Sequence, residues 1–489
     1  MSIIARLLTN SPSEFNLGWL LIAISILSLM IPNIYHSMYR AINSPFPGPK
    51  LAKLTKWWFR WRELRDGVLN ATHRAHRNYG PIVQLSPKMI SFCHPDAIKD
   101  IYTGPRGGLD TTDLVWFFER YGAPNVVSTV NAELHLLRRK NVAGLYSSPA
   151  AASPTFQAHL RTTIDTFMNE IEAGAGPDQP PSWTVDMFPM MRWLTADIMI
   201  GLTYGPERSL NLLTNSDSRA QMNELLTPTM ELVASPLAIV FQWLPLPIMK
   251  LLSPLLNPGP NLAKFGMSLV QESLKAPPSQ SNDDDGKANT HLQHLLHLFK
   301  KNGPSPAIPN ISYIASDTLD HLSGGTTTTA DFLSALLYHL SLPENKHHQD
   351  KLRQELQAFT SSHNTSTEHI PLSQLQTLPF LNGILRETLR ISPPIPFSLP
   401  RVVKTKDQDI SVLGMKIDPG TIISIQPYTL HRDPATFPNP DVWDPERWQM
   451  PITSPAHRQM QRMLMPFGYG QRMCTGMRCV KPYNFILSL

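Results

Sequence analysis

The run Phe467-Gly468-Tyr469-Gly470-Gln471-Arg472-Met473-Cys474-Thr475-Gly476 sets one cysteine at the end of a glycine-jointed turn. Positive potential and backbone N–H groups keep a thiolate ionised. Arg472, two residues before Cys474, is placed to supply the charge, and a helix beginning just after the cysteine would supply the dipole. Gly468 and Gly470 let the backbone turn tightly with positive φ. This is how a chain would present a lone buried thiolate to a metal. The bland reading, an inert core cysteine, is the commoner fate of a free thiol.

Three more constellations lie upstream. In His135-Leu136-Leu137-Arg138-Arg139-Lys140, His135 and Arg139 are four apart and share a helix face; alone, such a basic face reads as solvated. Segment 309–342 has a long helical pattern that ends at Pro343, with Ser323-Gly324-Gly325-Thr326-Thr327-Thr328-Thr329-Ala330-Asp331 at its middle. Glycine costs about 1 kcal/mol in a helix interior relative to alanine, and threonine hydroxyls back-bond to carbonyls one turn earlier. So weak and polar a centre predicts a kink or groove at a site. Glu387 and Arg390, three apart at the end of an amphipathic helix stopped by Pro393-Pro394, can pair. On an exposed face that pair would contribute little.

The spacing Phe-x-x-Gly-x-Arg-x-Cys-x-Gly resembles the haem-binding loop of the cytochrome P-450 monooxygenases, with Phe467, Gly470, Arg472, Cys474 and Gly476 on its fixed positions. The resemblance implies haem b with Cys474 as axial iron ligand, a thiolate that pushes electron density toward O–O cleavage. It implies that His135 and Arg139 bind the haem propionates. Gly324-Gly325-Thr326-Thr327-Thr328-Thr329 is similar to the family's oxygen-binding segment. Thr328 then becomes the hydroxyl that helps deliver protons, and Thr327 stands where the family usually has an acid. Asp331, one turn beyond Thr327, is a carboxylate on the same face. Glu387 and Arg390 match the family's Glu-x-x-Arg motif. Pro445-Glu446-Arg447-Trp448 matches the segment whose arginine completes a buried Glu–Arg–Arg network behind the haem. Glu387, Arg390 and Arg447 are therefore expected to hold the haem loop and take no part in the chemistry. His431-Arg432-Asp433-Pro434 sits where the family has a similar turn.

The rest of the 489 residues fits a large core without internal repeats. Three cysteines, Cys93, Cys474 and Cys479, are too few for a disulfide framework. A net charge of +5 suits an anionic membrane surface or an acidic partner and is too diffuse for nucleic acid. Residues 17–31 are almost wholly apolar and the stretch extends to Tyr35, long enough to cross a bilayer. Arg40, Lys50, Lys53, Lys56, Arg60, Arg62 and Arg65 follow it, which places the remainder in the cytosol. The alternative, a cleaved signal peptide, lacks a clear small-x-small site. Pro45-Phe46-Pro47-Gly48-Pro49 forms a stiff elbow. The chain thus divides into an anchor (1–40), a proline-rich hinge (41–50) and a haem-thiolate domain (51–489). The fold class is mainly α with a small β-rich subdomain, a cytochrome P-450 fold preceded by a transmembrane helix. Short β-prone runs around 82–92 suggest a hairpin. Segment 232–256 reads equally as core or as a surface that dips into lipid. Segments 276–289 and 361–367 read as solvated loops. The chain ends at Leu489, fifteen residues after Cys474, and Pro482 interrupts any helix begun there. The family continues with a long helix and strands, so substoichiometric haem and low stability are expected.

The function implied is a monooxygenase of the endoplasmic reticulum membrane, single-pass, that acts on a lipophilic small molecule with electrons from an NADPH-dependent flavoprotein reductase. The pattern looks like fungal members that tailor secondary metabolites such as terpenoids or polyketides. Trp116, Phe117, Phe118 and residues 395–399 are candidate pocket residues, though core packing explains them equally. Two other classes stand beside this one. The first is a haem-thiolate isomerase or dehydratase that needs neither O₂ nor reductase. The second is a catalytically silent membrane protein.

Overall fold

The computed structural model describes residues 44–104, 108–151, 153–174, 184–222, 235–241, 243–256, 260–275, 290–363, 372–375, 377–404 and 410–477, with scattered positions between 21 and 43. The main helices, in chain order, are α1 (Lys56–Asp66), α2 (Val68–Tyr79), α3 (Pro95–Tyr102), α4 (Ala132–Ala143), α5 (Pro154–Gly174), α6 (Met187–Tyr204), α7 (Leu246–Leu256), α8 (Pro260–Lys275), α9 (His291–Asn302), α10 (Ile311–Ser341), α11 (Lys346–His363), α12 (Pro379–Ile391) and α13 (Pro455–Met463). The strands are β1 (Ile82–Ser86), β2 (Met89–Phe92), β3 (Asp110–Thr111), β4 (Arg401–Val402), β5 (Ser411–Val412), β6 (Met415–Lys416) and β7 (Ile422–Ile425).

Local sequence explains where these helices start. Asn131, Asp186, Thr290, Asn310 and Ser454 each accept a backbone N–H in the first turn of α4, α6, α9, α10 and α13. α10 runs unbroken for 31 residues through Gly324 and Gly325. Its apolar positions, Ile314, Leu319, Leu322, Phe332, Leu333 and Leu336, are buried on both ends of the polar centre. Gly325 lies against α6, where an added Cβ would meet the Met199 side chain. One apolar cluster joins α5, α6, α10, α11 and α12, and another joins α6, α8, α9 and α10, so α10 is the axle of the helical part.

The sheet is β1-β2-β7-β4-β3. The expected hairpin is present: β1 and β2 pair antiparallel, with Val83 opposite Ser91. β2 runs parallel to β7, and β4 is antiparallel to both β7 and β3. This arrangement joins residues from both ends of the chain in one sheet. The proline-rich hinge does not swing free of it. Phe46 is buried in the sheet's core, the Gln84 amide donates to the Pro47 carbonyl at 2.7 Å, and a Cβ on Gly48 would strike the Gln84 carbonyl.

Among the described residues no helix is long and apolar enough to cross a membrane. Most of the expected anchor, and the tail 478–489 with Cys479 and Pro482, lie outside the described residues. So does the expected loop 276–289. In the other expected loop, residues 361–363 instead close α11, and 364–367 lie outside.

Candidate functional site

The cysteine loop folds as its glycines require. Gly468 and Gly470 take φ of 70° and 71°. Residues Gly470–Arg472 make one tight turn, and the Cys474 amide donates to the half-buried Phe467 carbonyl at 2.9 Å. A Cβ on Gly470 would collide with the Tyr102 carbonyl oxygen, so this loop can seat against α3 only with glycine there. A Cβ on Gly476 would meet nothing but the Cys474 sulfur, 3.8 Å away.

Cys474 is accessible at its surface, yet enough protein surrounds it for burial to raise its pKa. Both hold when protein surrounds a side chain and leaves it open on one side. Against that burial work the Gly476 and Met477 amides, which donate to the sulfur, and the charge of Arg139. Arg472, expected to supply that charge, has another task. Its Nη1 and Nη2 donate to the Thr129 and Val130 carbonyls at 2.7 Å each, which ties the cysteine loop to the entry of α4. Cys93 offers no competing ligand: burial in the sheet's flank pushes its thiol up to about 12.

Around the loop lies a concentration of cations. His135 is buried; burial, Arg472, Arg139, Arg401 and Arg138, in that order, hold its pKa down at about 3. Arg472 is itself pushed down to about 10 by burial and by Arg401, and its Nε is buried without a partner. Like charges crowded at low dielectric are unfavourable unless an anion joins them. A flat dianionic group beside an accessible thiol fits this setting, and the donor chemistry is that of haem: thiol for iron, arginines for two carboxylates. Arg401 was not legible in the sequence as part of this cradle. A single arginine in a two-residue strand carries no periodic signal, and only the fold turns it over the Tyr102 ring at 4.8 Å.

On α10, both candidate hydroxyls bond to their own helix, Thr327 Oγ1 to the Ser323 carbonyl at 2.9 Å and Thr328 Oγ1 to the Gly324 carbonyl at 2.6 Å. Gly324 is exposed at mid-helix with nothing within 4 Å of its Cβ direction, so the polar centre borders a groove. Asp331 is engaged elsewhere, in an ion pair with the buried Arg192 of α6. Another acid, Asp320, stands two turns before Thr327; burial and the charge of Asp317 push it up to about 7.

The expected Glu–Arg–Arg network is complete. Glu387 and Arg390 are fully buried. Arg390 Nε and Nη2 donate to the two Glu387 oxygens at 2.9 and 2.7 Å, and Arg447 Nε donates at 3.0 Å. Trp448 Nε1 and the Asp444 amide, at 2.9 and 3.0 Å, fill the remaining lone pairs of Glu387. Arg390 then spends its free N–H groups on the carbonyls of His431, Pro440 and Val442.

The Cytochrome P450 family profile matches residues 47–480, and the chain belongs to that family. Several similar proteins are fungal. The cytochrome P450 monooxygenase astB of Aspergillus terreus is 26% identical over 93% of this chain and 85% of its own length. The cytochrome P450 monooxygenase BOT1 of Botryotinia fuckeliana is 24% identical over 98% and 90%. The tryptophan 6-hydroxylase fscE of Fusarium equiseti is 27% identical over 94% and 86%. The chain is therefore an oxidoreductase of the monooxygenase type, with haem held through a cysteine thiolate.

Proposed function

We propose that Cys474 is the haem ligand of a membrane-bound monooxygenase that oxidises a lipophilic small molecule in fungal secondary metabolism. The observation that carries this is the surface-accessible Cys474 thiol, with the Gly476 and Met477 amides and the Arg139 charge directed to it. Bound haem supplies activation of dioxygen and transfer of one oxygen atom. The chain's own residues do the rest. His135, Arg139, Arg401 and Arg472 bind the propionates. Thr328, and Thr327 beside it, hold a proton path at the helix groove. Glu387, Arg390 and Arg447 keep the loop in register. Electrons come from an NADPH-dependent flavoprotein reductase.

A membrane seat is supported by one apolar face. Leu51, Trp57 and Trp61 are exposed near Lys50, Lys53 and Lys56, and Leu237, Ile248 and Leu251 are exposed on the 236–256 segment. Trp57 meets Trp243 edge-on at 6.0 Å, so the two stretches form one surface. Met249, on the opposite side of α7, packs against the candidate pocket residue Trp116. The described part of segment 232–256 thus has a packed side and an exposed apolar side, and the exposed side supports the reading of a surface that dips into lipid. The described positions Leu21, Ile22, Ile24, Ile31 and Tyr35 are helical and exposed, as an anchor in the endoplasmic reticulum would be, with the catalytic domain cytosolic.

The test is the difference spectrum of the reduced protein with carbon monoxide. Wild type and Cys93→Ser are expected to give the red-shifted thiolate band and Cys474→Ser to lose it. A band that survives in Cys474→Ser overturns the assignment. A second reading, a haem-thiolate isomerase or dehydratase, is favoured by the engagement of Asp331 with Arg192, which leaves Thr327 without an acid partner from that side. Turnover of a peroxide substrate without reductase or O₂ would select it.

A further inference from the structure

Away from the cysteine loop, three side chains meet in the interior. His291, the first residue of α9, points to α10, where Asp317 and His321 stand four apart on one face. His291 Nε2 lies 3.2 Å from Asp317 Oδ2, and His321 Nε2 lies 3.8 Å from the same oxygen. One ligand atom from each residue falls within 4.8 Å of the others. Ligands at about 2.05 Å from a tetrahedral zinc are about 3.3 Å apart, so the His291–Asp317 pair matches a coordination shell and His321 would close in slightly on a bound ion.

The hydrogen bonding of the cluster is unfinished. Asp317 Oδ2 and both ring nitrogens of His291 are buried and make no well-aligned hydrogen bond, although Nε2 lies 3.2 Å from Oδ2. Buried polar atoms are nearly always paired, so Asp317 Oδ2 and His291 Nε2, set against each other without a good hydrogen bond and with His321 Nε2 beside them, are an anomaly. The surroundings, by contrast, are arranged. The Val126 amide donates to Asp317 Oδ1 at 2.8 Å, so Oδ2 is the atom left facing the histidines. Tyr146 Oη lies 2.6 Å from His321 Nδ1, which fixes that ring and leaves Nε2 directed inward. Outer partners of this kind are what orient metal-binding imidazoles and carboxylates.

We propose that His291, Asp317 and His321 form a buried site for a divalent transition-metal ion, zinc by preference. Two imidazoles and one carboxylate suit a borderline cation and leave a fourth position for solvent. Arg138 opposes binding, because its charge also reaches Asp317. It is itself occupied, with Nη1 donating to Thr129 and its guanidinium over the Tyr313 ring. Asp317 lies about 16 Å along the helix from Thr328, at 1.5 Å per residue. The ion is thus a clasp between α9 and α10, apart from the oxygen chemistry.

The test uses the purified haem-loaded protein, treated with EDTA, exchanged into buffer and supplied with zinc chloride. Zinc per chain is measured by mass spectrometry of the gel-filtered protein, and thermal stability with and without zinc. Wild type and the exposed control His347→Gln are expected to retain one zinc and to melt at higher temperature with it. His291→Gln and His321→Gln are expected to lose zinc affinity by about 10-fold or more. Zinc K-edge absorption of the wild type, which needs no variant to fold, is expected to show a nitrogen and oxygen shell at about 2.0–2.1 Å with imidazole scattering. A wild type that retains no zinc, equal retention in His291→Gln, or a sulfur-containing shell overturns the proposal and leaves the triad a metal-free polar cluster.

Discussion

His431 Nε2 accepts the backbone N–H of Met465 at 3.0 Å. Its other nitrogen, Nδ1, lies 3.2 Å from the Arg390 carbonyl, which can only accept, so the ring carries its proton on Nδ1. Arg390 in turn donates to the His431 carbonyl. A single imidazole therefore couples the buried Glu387–Arg390 pair to the residue that opens the cysteine loop, two positions before Phe467. A proton on Nε2 would set two donors against each other.

That geometry predicts a pH dependence. Burial, with Arg432 adding to it, holds His431 at about 3, and burial holds His76, bonded between Gly80 and Ser91, at about 4. Unfolded, each titrates near 6.5. Between about 4 and 6.5 the unfolded chain binds more protons than the folded one, so stability present above 6.5 is lost as the pH falls. Each such group gives a slope of up to about 1.4 kcal/mol per pH unit, and His135, held at about 3, adds to these two. Urea unfolding at pH 7.5, 6 and 5 is expected to show it, and His431→Phe is expected to flatten it while lowering haem content. A flat profile in wild type would contradict the burial of His431 and His76 as neutral rings.

Removal of one member of the buried network is expected to be severe. Glu387→Gln leaves Arg390 charged and buried against backbone carbonyls, at a cost of about 3–5 kcal/mol. The expected outcome is a lower melting temperature and a lower haem-to-protein ratio, while the carbon monoxide band of what haem remains keeps its position. A shifted band would give Glu387 a part in ligation that its geometry denies.

At the groove of α10, Thr328→Ala is expected to lower product formed per NADPH consumed, and Thr327→Asp to raise it. General acid–base assistance of this kind contributes about 10²–10⁴-fold. Coupling is read by oxygen and NADPH consumption against product. Unchanged coupling in both variants would favour the isomerase reading.

Arg401→Met is expected to weaken haem retention without touching the thiolate. It removes one of the cations facing His135 and Arg472 and raises the Arg472 pKa toward its ordinary range. Haem transfer to an apo-globin acceptor would measure the loss, and an unchanged transfer rate would place the propionates elsewhere.

What the sequence disclosed depended on distance along the chain. The Cys474 loop has its five fixed positions within ten residues, and Glu387–Arg390 lie within four, so both could be matched to family motifs, although the pair's spacing by itself read as a weak surface contact. α10 was legible by period and by its stop at Pro343. Arg401, the bonds made by His431 and the His291 cluster were not. Each depends on a partner brought from far away: Tyr102 for Arg401, Met465 for His431, and α10 for a histidine that sits in His291-Leu292-Gln293-His294-Leu295-Leu296-His297, an ordinary amphipathic face. The electrostatic role expected of Arg472 passed to Arg139 for the same reason, since only the fold shows which carbonyls Arg472 reaches.

The grip of Arg472 on the Thr129 and Val130 carbonyls spans 343 and 342 residues. During synthesis the N-terminal half of the site emerges long before the cysteine that completes it. At about 5–20 residues per second, the cluster of His135, Arg138 and Arg139 waits on the order of half a minute before Arg472 can reach it. Haem capture is therefore a late event, gated by a long-range closure, and the nascent chain needs its early helices shielded from aggregation until then.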